Sequence, residues 1–466
     1  MDSVSFRDRQ GEPVQVDPAA VRALREELAG GSLAPGEPGY DEARQIWNAM
    51  IQRRPALIAR CDDAADAARC VRFARDHGVA LTVRGGGHNI AGRALAEGGL
   101  LVDFSHRRRV EVDASARRAH VEPGATLADV DAATTPHGLL LPSGIVSETG
   151  IAGLTVGGGF GWLSRRYGLT CDHLEAVELV TGEGEVLTAD QREHPELFWS
   201  LRGAGGGAAV VTRFHYRLRL ADDAMTCGLI VRRAEESEAV TRRFGELTDA
   251  ASEELTYLLV LRNAPPAPFL PEELHGRPIA GLAVCHGGDP ETAAREVAPA
   301  RDFGDPVADL VDRKPFVEHQ QMLDPLQPKG RRYYWKSEYL DRFDEETAAV
   351  LREHAARIPS PHAAILVFQL GGAVARNGAQ TSAAHRDARF IVNVAGAWED
   401  ADDDEENVAW VRDCWRNVHR IAGRGGYVNF LTEDSGEDER EQSQAGVDLA
   451  RLERVRRRYD PDGVVR

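Results

Sequence analysis

Val83-Arg84-Gly85-Gly86-Gly87-His88-Asn89-Ile90-Ala91-Gly92 is the stretch on which the reading of this chain turns. The apolar, β-branched run at 79–83 predicts a buried strand, so residues 84–89 form the tight loop at its end. Three consecutive glycines cost chain entropy. They are tolerated where the backbone takes positive φ or comes close to another group with no Cβ in the way, and a concave row of amides around a phosphate is a common case. Arg84 adds a permanent cation, and His88 sets an imidazole beside the same loop. Taken alone, the stretch is equally a glycine turn with an incidental histidine.

A second stretch, residues 142–169, carries Gly144, Gly150, Gly153, Gly157, Gly158, Gly159, Gly161 and Gly168. That density suits neither a helix nor a sheet core; it suits backbone packed on a flat, phosphate-bearing ligand. Together the two stretches resemble the FAD-binding domain of the vanillyl-alcohol-oxidase (PCMH-type) superfamily and, within it, the berberine-bridge-enzyme-like oxidoreductases. Ordered matches at residues 40–48, 54–56, 197–203, 210–212, 332–337, 385–386, 427–430 and 458–461 extend the resemblance over most of the chain. It implies an α+β fold: a PCMH-type FAD-binding domain of two small α/β subdomains over 1–220, then a substrate domain over 221–420 with an antiparallel sheet backed by helices. Residues 421–466 would return to the first domain.

Composition agrees with this. The chain has 466 residues, enough for two or three domains, with 42% hydrophobic and 28% charged residues. No apolar run approaches the roughly 20 residues that cross a bilayer, and the N-terminus lacks a signal-peptide core, so a cytoplasmic protein is expected. A formal net charge of −18 argues against a nucleic-acid partner. Lys314, Lys329 and Lys336 are the only lysines; none follows a glycine, so no Walker A loop exists. An acidic, lysine-poor chain fits a high-salt habitat and codon bias equally well. Six cysteines without a C-x-x-C pair, and no His-Glu-x-x-His, argue against a metal site.

Periodicity places helices within 18–54 and over 62–78, 127–137, 238–251, 291–301 and 345–356. Strands are expected at 100–104, 109–113, 119–123, 229–232, 254–261, 279–284, 363–370 and 389–395.

The resemblance also implies a site. FAD would be held by Arg84, Gly85, Gly86, Gly87, His88, Asn89, Ser143, Gly144, Gly150, Ile151, Gly153, Leu154, Gly157, Gly158, Val211, Tyr427 and Asn429. In relatives the histidine of R-G-G-G-H bonds covalently to the flavin, and His88 stands there. The second, cysteinyl link of some relatives falls on Val146, which cannot form it, so a single linkage is expected. Gly205 to Ala209 and His173 depart from the family pattern and soften the contacts assigned there. The family's Tyr-x-Asn-Tyr reads Tyr427-Val428-Asn429-Phe430, so the usual proton acceptor is missing. Asn393, Tyr427, Tyr334, Lys336 and Gln369 are the candidates for the substrate face. Gly144, at the position that gates oxygen in relatives, leaves room for it.

The resulting expectation is an oxidase taking hydride from an alcohol, sugar or amine carbon and reducing dioxygen to hydrogen peroxide. Its partners would be a small molecule and dioxygen, with no nucleic acid and no membrane. A dehydrogenase using another acceptor, and a flavin-binding protein with little turnover, remain open. The residues name neither the substrate nor the oligomeric state.

Overall fold

The computed structural model describes residues 5–222, 224–377 and 380–465. The helix expected over 62–78 runs Ala64–His77, and its ends show why. The Asp63 carboxylate caps the first turn by accepting from the Asp66 amide, and Gly78 closes the last one with φ +67°. With Pro18–Glu27 it covers a four-stranded sheet ordered Ser32–Leu33, Leu57–Arg60, Leu100–Asp103, Leu81–Arg84, whose last three strands are parallel. Past Glu27 the helical pattern yields only the short Tyr40–Ala43 helix, because Gly30, Gly31, Pro35, Gly36, Pro38 and Gly39 interrupt it.

A second, antiparallel sheet is ordered Val186–Asp190, Leu174–Thr181, Ala209–Arg217, Arg118–Val121, Val110–Asp113. Val455 and Tyr459 of the Leu449–Tyr459 helix complete its core. Val464 and Val465 then enter the core of the first sheet, where Val465 bridges Leu81. The Asp460 carboxylate fixes that turn by accepting from both valine amides, at 2.6 and 2.9 Å.

The third sheet is antiparallel and much larger. Its long strands are ordered Met225–Arg233, Pro278–His286, Leu255–Asn263, Ala364–Gln369, Phe390–Trp398, Arg332–Leu340. Helices Ser237–Ala250, Pro290–Arg301, Glu345–Ala355 and Asp404–Ala422 bury one face against Leu259, Leu261, Ile365, Val367, Val392 and Val394. Side chains alternate along a strand, so Val260, Arg262, Ala364, Leu366 and Asn393 face the other way, toward the first two sheets. This is the α+β arrangement expected, an antiparallel sheet backed by helices beside two smaller sheets. Among the described residues no helix is long and apolar enough to cross a membrane.

Candidate active site

The two glycine stretches meet back to back. A Cβ on Gly86 would lie 2.5 Å from Gly150 Cα, and one on Gly150 would lie 2.6 Å from the Gly86 nitrogen. Only bare backbone fits there, which explains both glycines. Among the described residues, the amides of Gly85 to Asn89 and those of Ala152 and Gly153, in the first turn of Ile151–Val156, find no acceptor within the chain. These two rows of free donors line one wall of a cavity of about 390 Å³. Free amides on a glycine-rich loop and a helix N-terminus are the donor set that a pyrophosphate requires.

His88 stands beside them. Its ring stacks on Trp47 at 4.2 Å, and Trp47 stacks in turn on Tyr333 at 3.6 Å. The Nε2 atom is enclosed without a hydrogen-bond partner, and burial pushes the imidazole pKa down to about 4. The ring is therefore neutral at pH 7, with a lone pair available for a ligand.

The C-terminal segment completes this wall. The Tyr427 hydroxyl accepts from the Gly159 amide at 3.0 Å and from Asn429 Nδ2 at 2.9 Å. The same Asn429 amide reaches Gly153 O at 3.3 Å, and a Cβ on Gly157 would strike it at 2.2 Å. Burial raises the Tyr427 pKa above the ordinary phenol value, so this residue holds the glycine stretch as a neutral clamp. Tyr427→Phe strands the buried Gly159 N–H and is expected to cost about 1–3 kcal/mol, read as a lower thermal midpoint, while substrate turnover persists.

Other expected residues line the cavity as well: Gly85, Gly86, Gly87, Asn89, Gly144, Gly150, Gly153, Leu154, Val211 and Asn393. Asn393 is 2% exposed and its Oδ1 has no partner. Gly205, Gly206 and Gly207, at φ +86°, +80° and +95°, line it too, although this segment departs from the family pattern. His173 does not: it is fully buried elsewhere, with both ring nitrogens unpartnered.

Several expected residues lie away from the cavity. Arg84 sits opposite Asp103 on the neighbouring parallel strand and makes a two-pronged pair with it, at 2.8 and 2.6 Å, with a third bond to Ala43 O. It anchors the loop rather than a ligand. Tyr334 donates to Asp434 at 2.7 Å, Lys336 pairs with Glu439 at 2.8 Å, and Gln369 spans Tyr257 N and Thr248 O. The pleat turns all three to the far face of the large sheet. Ile151 is in the core of the second sheet, Ser143 meets Gln320 at 3.4 Å, and Gly157 and Gly158 pack against Asn429 and Leu169 behind the wall. At Gly144 the space of a Cβ is already taken, by Leu154 at 2.8 Å and Leu127 at 3.2 Å. The glycine there lets these leucines approach, and its backbone still lines the cavity.

Residues that sequence reasoning missed are Trp47, Arg262, Gln327, Trp335 and His362. Trp335, Arg262, His362 and Gln327 line the cavity, and Trp47 backs His88. Trp47 and Trp335 lay within matched segments, and Arg262 lay one residue past the strand expected at 254–261.

Comparison with known proteins agrees with this geometry. Residues 55–190, which contain both glycine stretches, match a family model described as an FAD binding domain. The chain is 29% identical over 444 residues to (R)-6-hydroxynicotine oxidase of Paenarthrobacter nicotinovorans, covering 93% of this chain and 95% of that protein. The solved structure of 6-hydroxy-D-nicotine oxidase from Arthrobacter nicotinovorans superposes with a TM-score of 0.85 at 25% identity, over 94% of this chain and 97% of the other. Glucooligosaccharide oxidase of Acremonium strictum, described as carrying 6-S-cysteinyl, 8α-N1-histidyl FAD, shares the fold with a TM-score of 0.84 at 19% identity, over 96% and 98% of the two chains. With free amides where a pyrophosphate would lie, a histidine with an unpartnered Nε2 beside them and these relatives, the chain carries an FAD binding domain and is an FAD-dependent oxidoreductase.

Proposed function

We propose that this protein is an oxidase that carries FAD on His88 through one covalent bond, oxidises an alcohol, sugar or amine carbon of a small molecule, and yields hydrogen peroxide. The observation that carries the reading is the neutral His88 imidazole, its Nε2 unpartnered, set beside two rows of free amides. FAD, when bound, supplies the hydride acceptor and the route of electrons to dioxygen. The amides of Gly85 to Asn89 and of Ala152 and Gly153 would hold its pyrophosphate, and the Tyr427–Asn429 clamp holds the second of these rows in place. A second link lacks a donor. No cysteine is among the residues lining the cavity, Val146 occupies the family's cysteinyl position, and Cys171 is buried against Arg386 at 3.7 Å.

The proton that leaves with the hydride sets the substrate type. No aspartate or glutamate is among the lining residues, Phe430 has no proton to exchange, and the Tyr427 hydroxyl already accepts two bonds. Of the three carbon types, an amine that binds in its neutral form needs no base, and it agrees with the relative named as a nicotine oxidase. The Asn393 amide, unpartnered at the cavity face, orients the N–H or O–H of the substrate.

The second reading is a dehydrogenase of the same fold that passes electrons to another acceptor. The flavin-loaded protein separates the two on a panel of amines, alcohols and sugars in air. Peroxide formed in step with substrate loss is expected. Turnover with an artificial dye but not with oxygen would establish the dehydrogenase instead, and reduction by no substrate would leave a flavin-binding protein.

A further inference from the structure

Arg262, near the end of the strand Leu255–Asn263, is 6% exposed and lines the cavity. A buried guanidinium normally has its charge met. Arg84 and Arg386 pair with Asp103 and Asp172, and Arg165 spends its donors on four backbone carbonyls. Arg262 has less. Its Nε donates to Asn263 O at 2.9 Å and its Nη2 to Pro361 O at 3.1 Å; among the described residues Nη1 donates to nothing and no carboxylate pairs with it. Burial and the neighbouring Arg331 pull its pKa down to about 10, which leaves it cationic at neutral pH.

Its surroundings do not neutralise it either. His362 and Arg331 share one acid, Glu399, at 3.2 and 3.4 Å, and that side chain is 71% exposed. In a chain of net charge −18 this corner of the cavity is locally basic. A largely buried cation without a counter-charge is costly, so one held at the cavity wall points to an anion that completes it.

The floor beside it is open. Across the large sheet the register reads Arg262, Ala364, Ala395, Trp335, so two alanines separate the cation from the tryptophan. Three strand spacings place their Cα atoms about 14 Å apart. Trp335 presents an unpartnered Nε1 there, and Asn393 an unpartnered Oδ1 on the strand Phe390–Trp398.

We propose that the substrate carries a carboxylate, bound by Arg262 through charge-assisted hydrogen bonds, while its oxidisable carbon lies over the floor beside Ala364 and Asn393. This assignment rests on the oxidoreductase reading of the cavity and adds the class of compound that enters it. A site built to meet an anion rejects the neutral analogue, because the cation is then desolvated with no partner.

Benzoate and benzamide, alike in shape and different in charge, test this by titration calorimetry on the flavin-loaded protein. Benzoate is expected to bind at least about tenfold more tightly, as a hydrogen-bonded charge pair implies. Arg262→Gln should erase the difference, and Arg262→Lys should keep part of it, with the flavin spectrum unchanged in both. Equal affinities, binding of neither probe, or a preference that survives in Arg262→Gln would each overturn the assignment. A variant that shifts the flavin potential but keeps the preference would give Arg262 to the cofactor instead. Because heats of binding do not depend on turnover, a protein that selects benzoate yet makes no peroxide loses the oxidase reading and keeps this one.

Discussion

His88→Ala is expected to yield protein whose flavin comes away on acid denaturation, whereas the wild-type polypeptide stays yellow and is heavier by one FAD. Three features of the wild-type ring support the proposed attachment. Trp47 holds its plane at 4.2 Å, burial keeps it neutral, and its enclosed Nε2 has no competing partner. Alanine removes the nucleophile but leaves the amides of Gly85 to Asn89 and of Gly153 in place, so FAD still binds, now reversibly. Loss of the bond should lower peroxide formation by roughly tenfold or more, a barrier increase of about 1.4 kcal/mol, because a bound but untethered flavin is less well positioned and less strongly oxidising. Denatured mass and visible spectrum read the attachment; initial rates with saturating added FAD read its effect on turnover. Wild-type protein that releases its flavin in acid would end the covalent reading and leave the fold untouched.

Arg84→Met is expected to give the largest loss of stability, about 3–5 kcal/mol, because it leaves the Asp103 carboxylate buried without its cation. Both side chains are almost fully enclosed, at 6% and 2% exposure, and their two bonds tie the strand that launches the glycine loop to the strand beside it. Burial pushes the Asp103 pKa up, but Arg84 and the Ser105 amide outweigh it and hold the carboxyl below its usual range. A folded-state pKa below the unfolded one adds stability above the unfolded value, near pH 4, and that increment is lost as pH falls through the folded pKa. The gap between wild type and variant should therefore be wide at pH 7 and should narrow in acid. Arg84→Met combined with Asp103→Leu removes both charges and should recover most of the loss. Thermal unfolding of the three proteins at pH 7 and pH 3.5 checks the sign and the recovery. If the single variant unfolds with the wild-type midpoint, the pair is not the loop's anchor.

Both outcomes bear on how far the residues alone can be read. Gly86 and Gly150 announce a close backbone approach, and each proves to be the group that would strike the other. His88 follows from its place at the end of the buried strand, and Tyr427 with Asn429 from a short motif that stays local in the fold. Arg84 looked like a ligand cation because a charge beside a phosphate-type loop usually is one. It lies instead in register with Asp103, a pairing between strands 19 residues apart that no local pattern displays.

What the sequence determined by itself is the proposed cofactor wall: glycine positions, the histidine, the absent cysteine and the absent tyrosine are features of local backbone and local chemistry, written in residue identity. Only the tertiary structure decided which residues of the large sheet face the cavity. Tyr334, Lys336 and Gln369 were plausible there and turn away, while Trp335 and Arg262 turn in. Successive strand residues point to opposite faces, and which face meets the cavity depends on how distant strands pair and what packs on each side.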